Sequence, residues 1–272
     1  MPEGPPPAPA VQRLRLRYTK RGRLRFTSHR DFQRALERAL RRAGVPMAYS
    51  AGFSPHPKIS YAGAAPTGAA SEAEYVELAV TRRCEPDELR AALDAALPVG
   101  LDVVELVEAR PGALADLLQA SVWRIDLDGV DAATAREAVA AFLAAERVEV
   151  TRGMKTGPRT FDARGAVVSL EVLDPAAHLG TDPAGTPSGR GEGNLMGGVA
   201  QVDPGVCAIL QMVVRHTTPA VRPDDVLVGL RSQAHLAPPS PPRMTRLAQG
   251  LLDEGTGTVV DPLATGPNVV GA

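Results

Sequence analysis

The 272-residue chain carries 30 basic and 31 acidic residues, and 44% of its residues are hydrophobic. These values are those of an ordinary soluble protein, and the length fits two domains of roughly 100 residues each. No apolar run approaches the roughly 18 residues of a membrane helix, and the start lacks the features of a signal peptide, so we expect a cytoplasmic protein without a membrane segment. The only cysteines, Cys84 and Cys207, lie far apart, which argues against a metal or iron–sulfur site in this chain.

Composition also sets the predicted domain boundaries. Residues 1–10 contain five prolines, the segment 174–205 is dense in glycine and proline, and residues 237–272 resemble a tail, in which Met244 to Leu252 give the only hint of a short docking helix. We therefore expect a disordered leader, a disordered insertion and a disordered tail at these three places. The two folded modules are predicted over residues 11–110 and 120–235, with the insertion inside the second module.

The first predicted element is a strand with a cationic side. In residues 11–18, Arg13, Arg15 and Arg17 alternate with apolar residues. Successive side chains of a strand point to opposite faces of a sheet. The pattern predicts that one face lies in the core, and that the three arginines of the other face are available to phosphate groups.

A helix is predicted to follow, capped by Ser28 and ended by Gly44. Ser28 and Asp31 form a variant of the capping box, and apolar residues recur with the helical period between residues 32 and 43. The opposite face carries a stripe of arginines, namely Arg34, Arg38, Arg41 and Arg42. Such a stripe is either a solvated helix face or part of an anion-binding surface.

The remaining elements complete a familiar order. A short strand is predicted at residues 59–62 and a longer one at residues 74–80, a second helix opens at Pro86, and a closing strand follows at residues 101–107. The order β, α, β, β, α, β is that of a ferredoxin-like fold. Because the C-terminal half repeats part of this order, the predicted fold class is α+β, with two tandem ferredoxin-like modules built on antiparallel sheets.

Positive charge is concentrated near the start of the chain. Residues 11–60 contain 13 lysines or arginines and only two acidic residues, whereas residues 61–110 contain four arginines and ten acidic residues. We expect one face of the N-terminal module to attract a polyanion, because clustered basic side chains raise the local potential.

Two histidines lie within this basic stretch. His29 falls at the predicted start of the helix, where the helix dipole favours a nearby anion. His56 lies between two prolines, which fix its backbone and hold Lys58 close behind it. The alternative for each histidine is a packing or capping role. We interpret the loop around His56 as part of a binding site.

Aromatic residues and a second basic segment extend the candidate site. Tyr49 and Phe53 either stack on a planar ligand or belong to the core. In the second module, the turn-rich residues 152–164 combine basic side chains with glycines that allow the backbone to approach a phosphate. This segment is typical of an anion site, although it contains no nucleotide-binding motif.

The candidate site residues fall into two sets. Candidate substrate or anion contacts are Arg23, Arg25, Ser28, His29, Tyr49, Ser50, Phe53, His56, Lys58, Lys155, Arg159 and Arg164. Candidate phosphate contacts are Arg13, Arg15, Arg17, Arg34 and Arg38. His29 and His56 are also the candidates for a catalytic role, and we expect no metal ligands.

A long motif links the basic stretch to the strand after it. Its residues are Phe26, Ser28, His29, Asp31, Ala48, Tyr49, Ser50, Gly52, Phe53, Pro55, His56, Pro57, Lys58, Ser60, Glu74 and Tyr75. With this motif the chain resembles the radical SAM-linked protein family, whose members occur fused to the C-terminus of radical SAM proteins or encoded beside them. The likeness extends over about residues 11–235, outside the insertion and the tail.

The resemblance implies a radical SAM protein as the partner. The partner would carry the [4Fe–4S] cluster and S-adenosylmethionine, because such a cluster is held by closely spaced cysteines and this chain has none with that spacing. The chain would then recognise or present a substrate. The concentration of positive charge points to RNA, such as tRNA or ribosomal RNA, as that substrate.

Three functions follow as hypotheses. The first is an RNA-binding or substrate-presenting accessory protein for a radical SAM enzyme. The second is a metal-independent, ribonuclease-like hydrolase with His29 and His56 as general acid and base. The third is a protein-interaction module that docks an acidic partner. Whether the chain is itself an enzyme stays open, and the lack of a cluster motif favours a non-catalytic role.

Overall fold

The computed structural model of the chain describes residues 7–154, 157–173 and 206–264. These residues form two compact units. Unit 1 contains the residues up to Trp123, together with Val213–His216 and the residues from Met244 onward, and unit 2 contains Arg124–Met212 and Thr217–Arg243. The described residues form a mixed α/β structure with four α-helices and mostly antiparallel strands. None of these helices is long and apolar enough to cross a membrane.

The N-terminal part of unit 1 has the element order that the sequence predicts. Its elements are β1 (Gln12–Lys20), α1 (His29–Arg42), β2 (Ile59–Ala62), β3 (Ala70–Val80), α2 (Pro86–Ala96) and β4 (Val103–Glu108). Strand β1 pairs antiparallel with both β3 and β4, and β2 pairs antiparallel with β3. The strands β4, β1, β3 and β2 are therefore successive neighbours in the sheet of this unit.

Apolar side chains from these strands and from both helices form the core of unit 1. Leu14 and Leu16 of β1 pack with Leu36 of α1 and Leu93 of α2, and all four are almost completely buried. The ring of Tyr18 stacks on that of Phe32 with 4.3 Å between centroids, and burial raises the pKa of Tyr18. The apolar periodicity of α1 places this face of the helix on the sheet.

The tail is not disordered in its described part. Strands β10 (Arg243–Asp253) and β11 (Thr258–Val260) lie there. Strand β10 pairs in parallel with the start of β3, and β11 pairs antiparallel with β10. The prediction of a disordered tail over residues 237–272 is therefore wrong up to residue 264, and the short helix considered for Met244 to Leu252 is a strand. The last eight residues lie outside the described residues.

The other two predicted disordered segments lie partly or wholly outside the described residues. Residues 7–10 of the predicted leader form neither helix nor strand, and residues 1–6 lie outside the described residues. The predicted insertion at residues 174–205 also lies outside them. The sequence predicts a turn at residues 20–23, after which Leu24 and Phe26 resume the alternation of a strand. Gly22–Phe26 form a 3-10 helix instead, and Gly22, with a φ of 53°, turns the chain out of the extended conformation.

Unit 2 combines part of a sheet with a separate hairpin. Its elements are β5 (Ala120–Asp128), α3 (Ala132–Ala144), β6 (Glu149–Met154), β7 (Gly157–Asp162), β8 (Val167–Leu173), β9 (Cys207–Arg215) and α4 (Pro223–Ala234). Strands β5 and β9 lie only partly in this unit, which also includes Arg243, the first residue of β10. Strand β9 lies between β5 and β8, whereas β6 and β7 form a two-stranded sheet of their own. Phe142, Leu210 and Leu230 are fully buried in this unit.

Candidate functional site

The arginines of β1 lie against carboxylates of the neighbouring strands. Arg15 is only 2% exposed, and its Nε donates to Glu77 Oε2 on β3 at 2.8 Å. A second nitrogen of Arg15 donates to the carbonyl oxygen of Gly112 at 2.5 Å. Arg13 Nη1 lies 3.3 Å from the same Glu77 carboxylate, although its side chain is 68% exposed. Glu77 therefore compensates two of the three arginines.

The third arginine of this strand is compensated from two directions. Arg17 lies 3.5 Å from Glu105 of β4 and 3.0 Å from Asp261. Close by on unit 1, Leu114, Leu118 and Leu263 form a small buried cluster with Ala73 and Tyr75 of β3. This side of the sheet is thus largely covered by chain segments that follow β4 and β10.

The prediction that Arg13, Arg15 and Arg17 contact phosphates needs correction. Arg15 is wrong as a phosphate contact, because a buried guanidinium with two partners does not reach a polymer. Arg13 and Arg17 keep some exposure, but each already has a carboxylate partner. The alternation in the sequence correctly predicted the strand, and it gave no sign that the arginine face is also covered.

The cations that follow β1 are compensated in the same way. Lys20 is buried and donates to the carbonyl oxygens of Ala65 and Pro66, and this burial lowers its pKa. Arg21 Nε donates to Glu72 at 2.8 Å, and another guanidinium nitrogen lies 3.5 Å from Asp102. The basic stretch of the sequence is therefore not one continuous cationic surface.

Helix α1 presents its arginines differently. Ser28 Oγ accepts a hydrogen bond from the Asp31 backbone N–H at 3.2 Å, so the helix starts where the capping signal predicts. The exposed cations of the helix that form no ion pair with a described carboxylate are Arg30, Arg34, Arg38, Arg41 and Arg42. We call these five residues the arginine stripe. Its first three members are spaced by four residues, which is about 6 Å along the helix axis.

The loop around His56 forms a short hairpin that is held by hydrogen bonds between its two arms. Ser50 N–H donates to the His56 carbonyl oxygen at 2.9 Å, and His56 N–H donates to Ser50 Oγ at 3.0 Å. Nearer the sheet, Lys58 N–H donates to Ala48 O at 2.7 Å. We call residues 48–58 the Phe53 hairpin, because Phe53 lies at its tip and is fully exposed.

The Phe53 hairpin starts at the C-terminal end of α1. Val45 N–H donates to Leu40 O at the end of the helix, and Met47 pairs with Val80 of β3. Ala48 N–H then donates to Ala79 O, which anchors the hairpin to the sheet. The last turn of the helix, which carries Arg41 and Arg42, therefore directly precedes the hairpin.

The two histidines are placed at different ends of this region. The His29 ring lies edge-on to Tyr61 of β2, with 5.2 Å between centroids, and its Nε2 lies 3.1 Å from the Gln33 side chain. Burial raises the pKa of Tyr61 to about 12. His56 precedes Tyr61 by five residues, which is about 16 Å in extended chain. The described contacts therefore tie the two histidines to different elements, His29 to Tyr61 of β2 and His56 to Ser50.

Three further candidates lie near the start of α1. Arg23 is exposed, whereas Arg25 is half-buried with its guanidinium over the ring of Phe26 at 4.7 Å. Ser28 Oγ donates to the Asp31 carboxylate at 2.6 Å, which gives it a structural role as the cap. Phe26 is exposed beside Arg25 and belongs to this surface. It is absent from the predicted site because the alternation of Leu24 and Phe26 indicated a strand.

The basic segment of unit 2 separates into structural and exposed residues. Arg152 lies 2.6 Å from Asp225, and its guanidinium also lies over Phe161 at 5.0 Å. Arg164 is half-buried and donates to the carbonyl oxygens of Leu143 and Val167, which gives it a structural role. Arg159 is exposed and pairs in register with Arg152, and it has no ion-pair partner in the described residues.

One candidate of this segment is not described. Lys155 lies outside the described residues. Among the residues that the structure does describe, no group of three or more His, Cys, Asp or Glu side chains is arranged to hold a metal ion.

A family model of proteins conserved in bacteria, described as uncharacterized (DUF2344), matches residues 13–223. The chain belongs to this family. The match covers α1, the Phe53 hairpin and the strands around them, and it ends at the start of α4, before β10. A search of curated proteins found no match for this chain.

Proposed function

We propose that this DUF2344 protein binds RNA through the arginine stripe of α1 together with the Phe53 hairpin. The observation that carries the proposal is the contrast between paired and unpaired cations in unit 1. The stripe provides five exposed arginines on one helix that contains only two carboxylates. Exposed, uncompensated cations attract the phosphates of a polyanion and release the counterions that those phosphates hold.

The spacing of the stripe also fits an extended anion. Arg30, Arg34 and Arg38 follow one another at intervals of about 6 Å along the helix, and Arg41 continues the same face. A row of cations contacts several charges of a polymer at once. A small anionic ligand would instead require cations that converge on one point, whereas Arg30, Arg34 and Arg38 are spread along two turns of the helix.

In our proposal the chain is an accessory protein that presents RNA, such as tRNA or ribosomal RNA, to a radical SAM enzyme. This part rests on the resemblance of the motif between Phe26 and Tyr75 to radical SAM-linked proteins. The partner would hold the [4Fe–4S] cluster and S-adenosylmethionine. Unit 1 would supply the RNA contacts, and no step of the chemistry is assigned to this chain.

The hydrolase hypothesis receives no comparable support. It requires His29 and His56 to reach the same scissile bond, whereas His29 contacts Tyr61 and His56 lies at the Phe53 hairpin. The protein-docking hypothesis shares the arginine stripe with the RNA hypothesis. An experiment that removes RNA separates these two.

We also propose that both halves of the chain are ferredoxin-like modules. In the first half, β1, α1, β2, β3, α2 and β4 have the required order, and their strands have the neighbours that this fold requires. In the second half, the same order is obtained from β5, α3, β8, β9, α4 and β10 when the β6–β7 hairpin is regarded as an insertion.

The test of RNA binding is a pair of matched double variants. Arg34→Ala/Arg38→Ala removes two cations of the stripe, and Arg136→Ala/Arg231→Ala removes two exposed arginines from α3 and α4 as a control of equal charge. Fluorescence anisotropy with a short labelled single-stranded RNA measures affinity between about 50 and 200 mM salt.

We expect the wild-type protein to lose affinity steeply as salt increases. The stripe variant should reduce the slope of log K against log salt by about 1.4, because two phosphate contacts are lost. The control variant should leave the slope unchanged. Absent or salt-independent binding by the wild-type protein would overturn the proposal, as would equal effects of the two variants. Recovery of a protein partner through the stripe after nuclease treatment would instead support the docking module.

A further inference from the structure

The Phe53 hairpin ends in an aromatic ring that contributes no packing to the fold. Phe53 is fully exposed, whereas Tyr49 at the base of the same hairpin is only partly exposed. A single exposed apolar residue is common on protein surfaces and means little alone. Three further features of this hairpin give the ring a function.

The first feature is that the hairpin is held in shape without the ring. Ser50 N–H donates to the His56 carbonyl oxygen, and Ser50 Oγ accepts a second hydrogen bond, from the His56 N–H. Tyr49 and Pro57 form an isolated bridge, and Gly52 adopts a φ of 119° that lets the tip turn. The structure therefore presents Phe53 on a braced support, which lowers the entropic cost of binding.

The second feature is the electrostatic character of the surrounding chain. Residues 38–71 contain no aspartate or glutamate. The same stretch contains Arg38, Arg41, Arg42 and Lys58, all of which are exposed. An aromatic ring in such surroundings is suited to a ligand that is both anionic and planar, and a nucleotide has both properties.

The third feature is the small apolar area at the tip. Ala51, Gly52, Ser54 and Pro55 surround Phe53, so the tip offers one large apolar side chain. A stable protein interface needs about 800 Å² from each partner and a cluster of buried anchors. One ring is too little for such an interface, but it is sufficient to stack on one base.

We infer that Phe53 stacks on an unpaired base, so that the protein selects single-stranded RNA over duplex RNA. The inference rests on the RNA binding proposed above. In a duplex the bases are stacked on one another, and the arginine stripe would meet only phosphates. In a single strand the stripe holds the backbone while Phe53 stacks on a base that is free of its neighbours.

The test compares Phe53 variants on two RNA probes with the full-length chain. The probes are an unstructured single strand and a duplex of the same number of nucleotides per strand. Phe53→Ala removes the ring, Phe53→Leu keeps an apolar side chain without a planar face, and Phe53→Trp keeps a planar ring. Because the side chain is fully exposed, circular dichroism and thermal melting should show all three variants folded like the wild type.

We expect the wild type to bind the single strand more tightly than the duplex. Phe53→Ala and Phe53→Leu should each weaken single-strand binding by roughly tenfold, the usual loss when one stacking side chain is removed, and leave duplex binding unchanged. Phe53→Trp should retain the affinity. Its new indole should also be quenched by the bound single strand, and Trp123, the only native tryptophan, is buried.

Several results would overturn the inference. Unchanged single-strand affinity in Phe53→Ala shows that the ring does not stack on a base. If Phe53→Ala loses the same affinity for both probes, or if Phe53→Leu keeps the full affinity for the single strand, the side chain supports binding without stacking on an unpaired base. If Phe53→Ala keeps its RNA affinity but no longer recovers a protein partner after nuclease treatment, the ring belongs to a protein contact. If the wild-type protein binds neither probe, the proposed RNA binding fails before the inference is reached.

Discussion

Strand β1 and helix α1 both carry rows of arginines, and the two rows have different roles in the structure. The arginines of β1 lie opposite Glu77 of β3 or near carboxylates of β4 and of the C-terminal segment. Those of α1 have no ion-pair partner among the described residues. A basic stretch in the sequence therefore shows how many cations lie close together along the chain. Binding of an anion depends on those cations that form no ion pair after folding.

The largest change in stability that tests the difference between the two rows is expected at Arg15. Replacement by Ala leaves the Glu77 carboxylate without its main partner inside the protein. Loss of one member of a buried ion pair costs about 3 to 5 kcal/mol of unfolding free energy. Urea denaturation followed by circular dichroism measures the change.

The matched control for Arg15 is Arg13, which lies on the same strand and shares Glu77. Arg13 is mostly exposed, so Arg13→Ala should cost less than about 1 kcal/mol. If both variants lost the same stability, burial would not be what separates the two arginines.

A smaller effect is expected in the pH dependence of Lys20. Burial lowers the pKa of Lys20 below that of a lysine in water. Because the folded protein then releases this proton at lower pH than the unfolded chain does, stability should increase as pH rises from the folded pKa of Lys20 toward about 10.5. Lys20→Met should remove this increase, as measured by chemical denaturation at a series of alkaline pH values.

The exposed Lys58 serves as the control for the pH experiment. Lys58→Met should leave the alkaline increase in place. The chain has only three lysines, Lys20, Lys58 and Lys155, so side-chain NMR can follow each titration separately. A Lys20 signal that titrates at or above the value for a free lysine would contradict the prediction.

The smallest effect on stability is expected from the arginine stripe. Arg34 and Arg38 are exposed and form no ion pair in the described residues, so Arg34→Ala/Arg38→Ala should change the free energy of unfolding by no more than about 0.5 kcal/mol per site. The same double variant is the one expected to weaken RNA binding. A large loss of stability would mean that the stripe, like β1, serves the fold.

Local signals in the sequence were sufficient to predict α1 and its surroundings. Ser28, the apolar period and Gly44 act within a few residues of one another, and the helix has the predicted start and end. The prolines and Gly52 likewise indicated a loop before β2. What the sequence did not show is that Ser50 and His56 pair to brace this loop, because that depends on the anchoring of Ala48 to β3.

Long-range partners account for the predictions that failed. The burial of Arg15 depends on Glu77 and Gly112, which lie 62 and 97 residues further along the chain. Strand β10 was missed because the sequence RMTRLAQGLLD lacks the alternation of a half-buried strand. Its Arg246 and Gln249 are buried polar residues that contact each other, and Arg246 also pairs with Glu74 of β3.

The placement of β10 has a consequence for how the protein is made. Strand β3 receives a parallel neighbour, and buried Glu74 its cationic partner, from residues 243–253. A ribosome has to deliver the chain at least as far as β10 before this part of the sheet can close. The start of β3, although it is synthesised early, therefore gains its last neighbour only after the residues between β3 and β10 have been made.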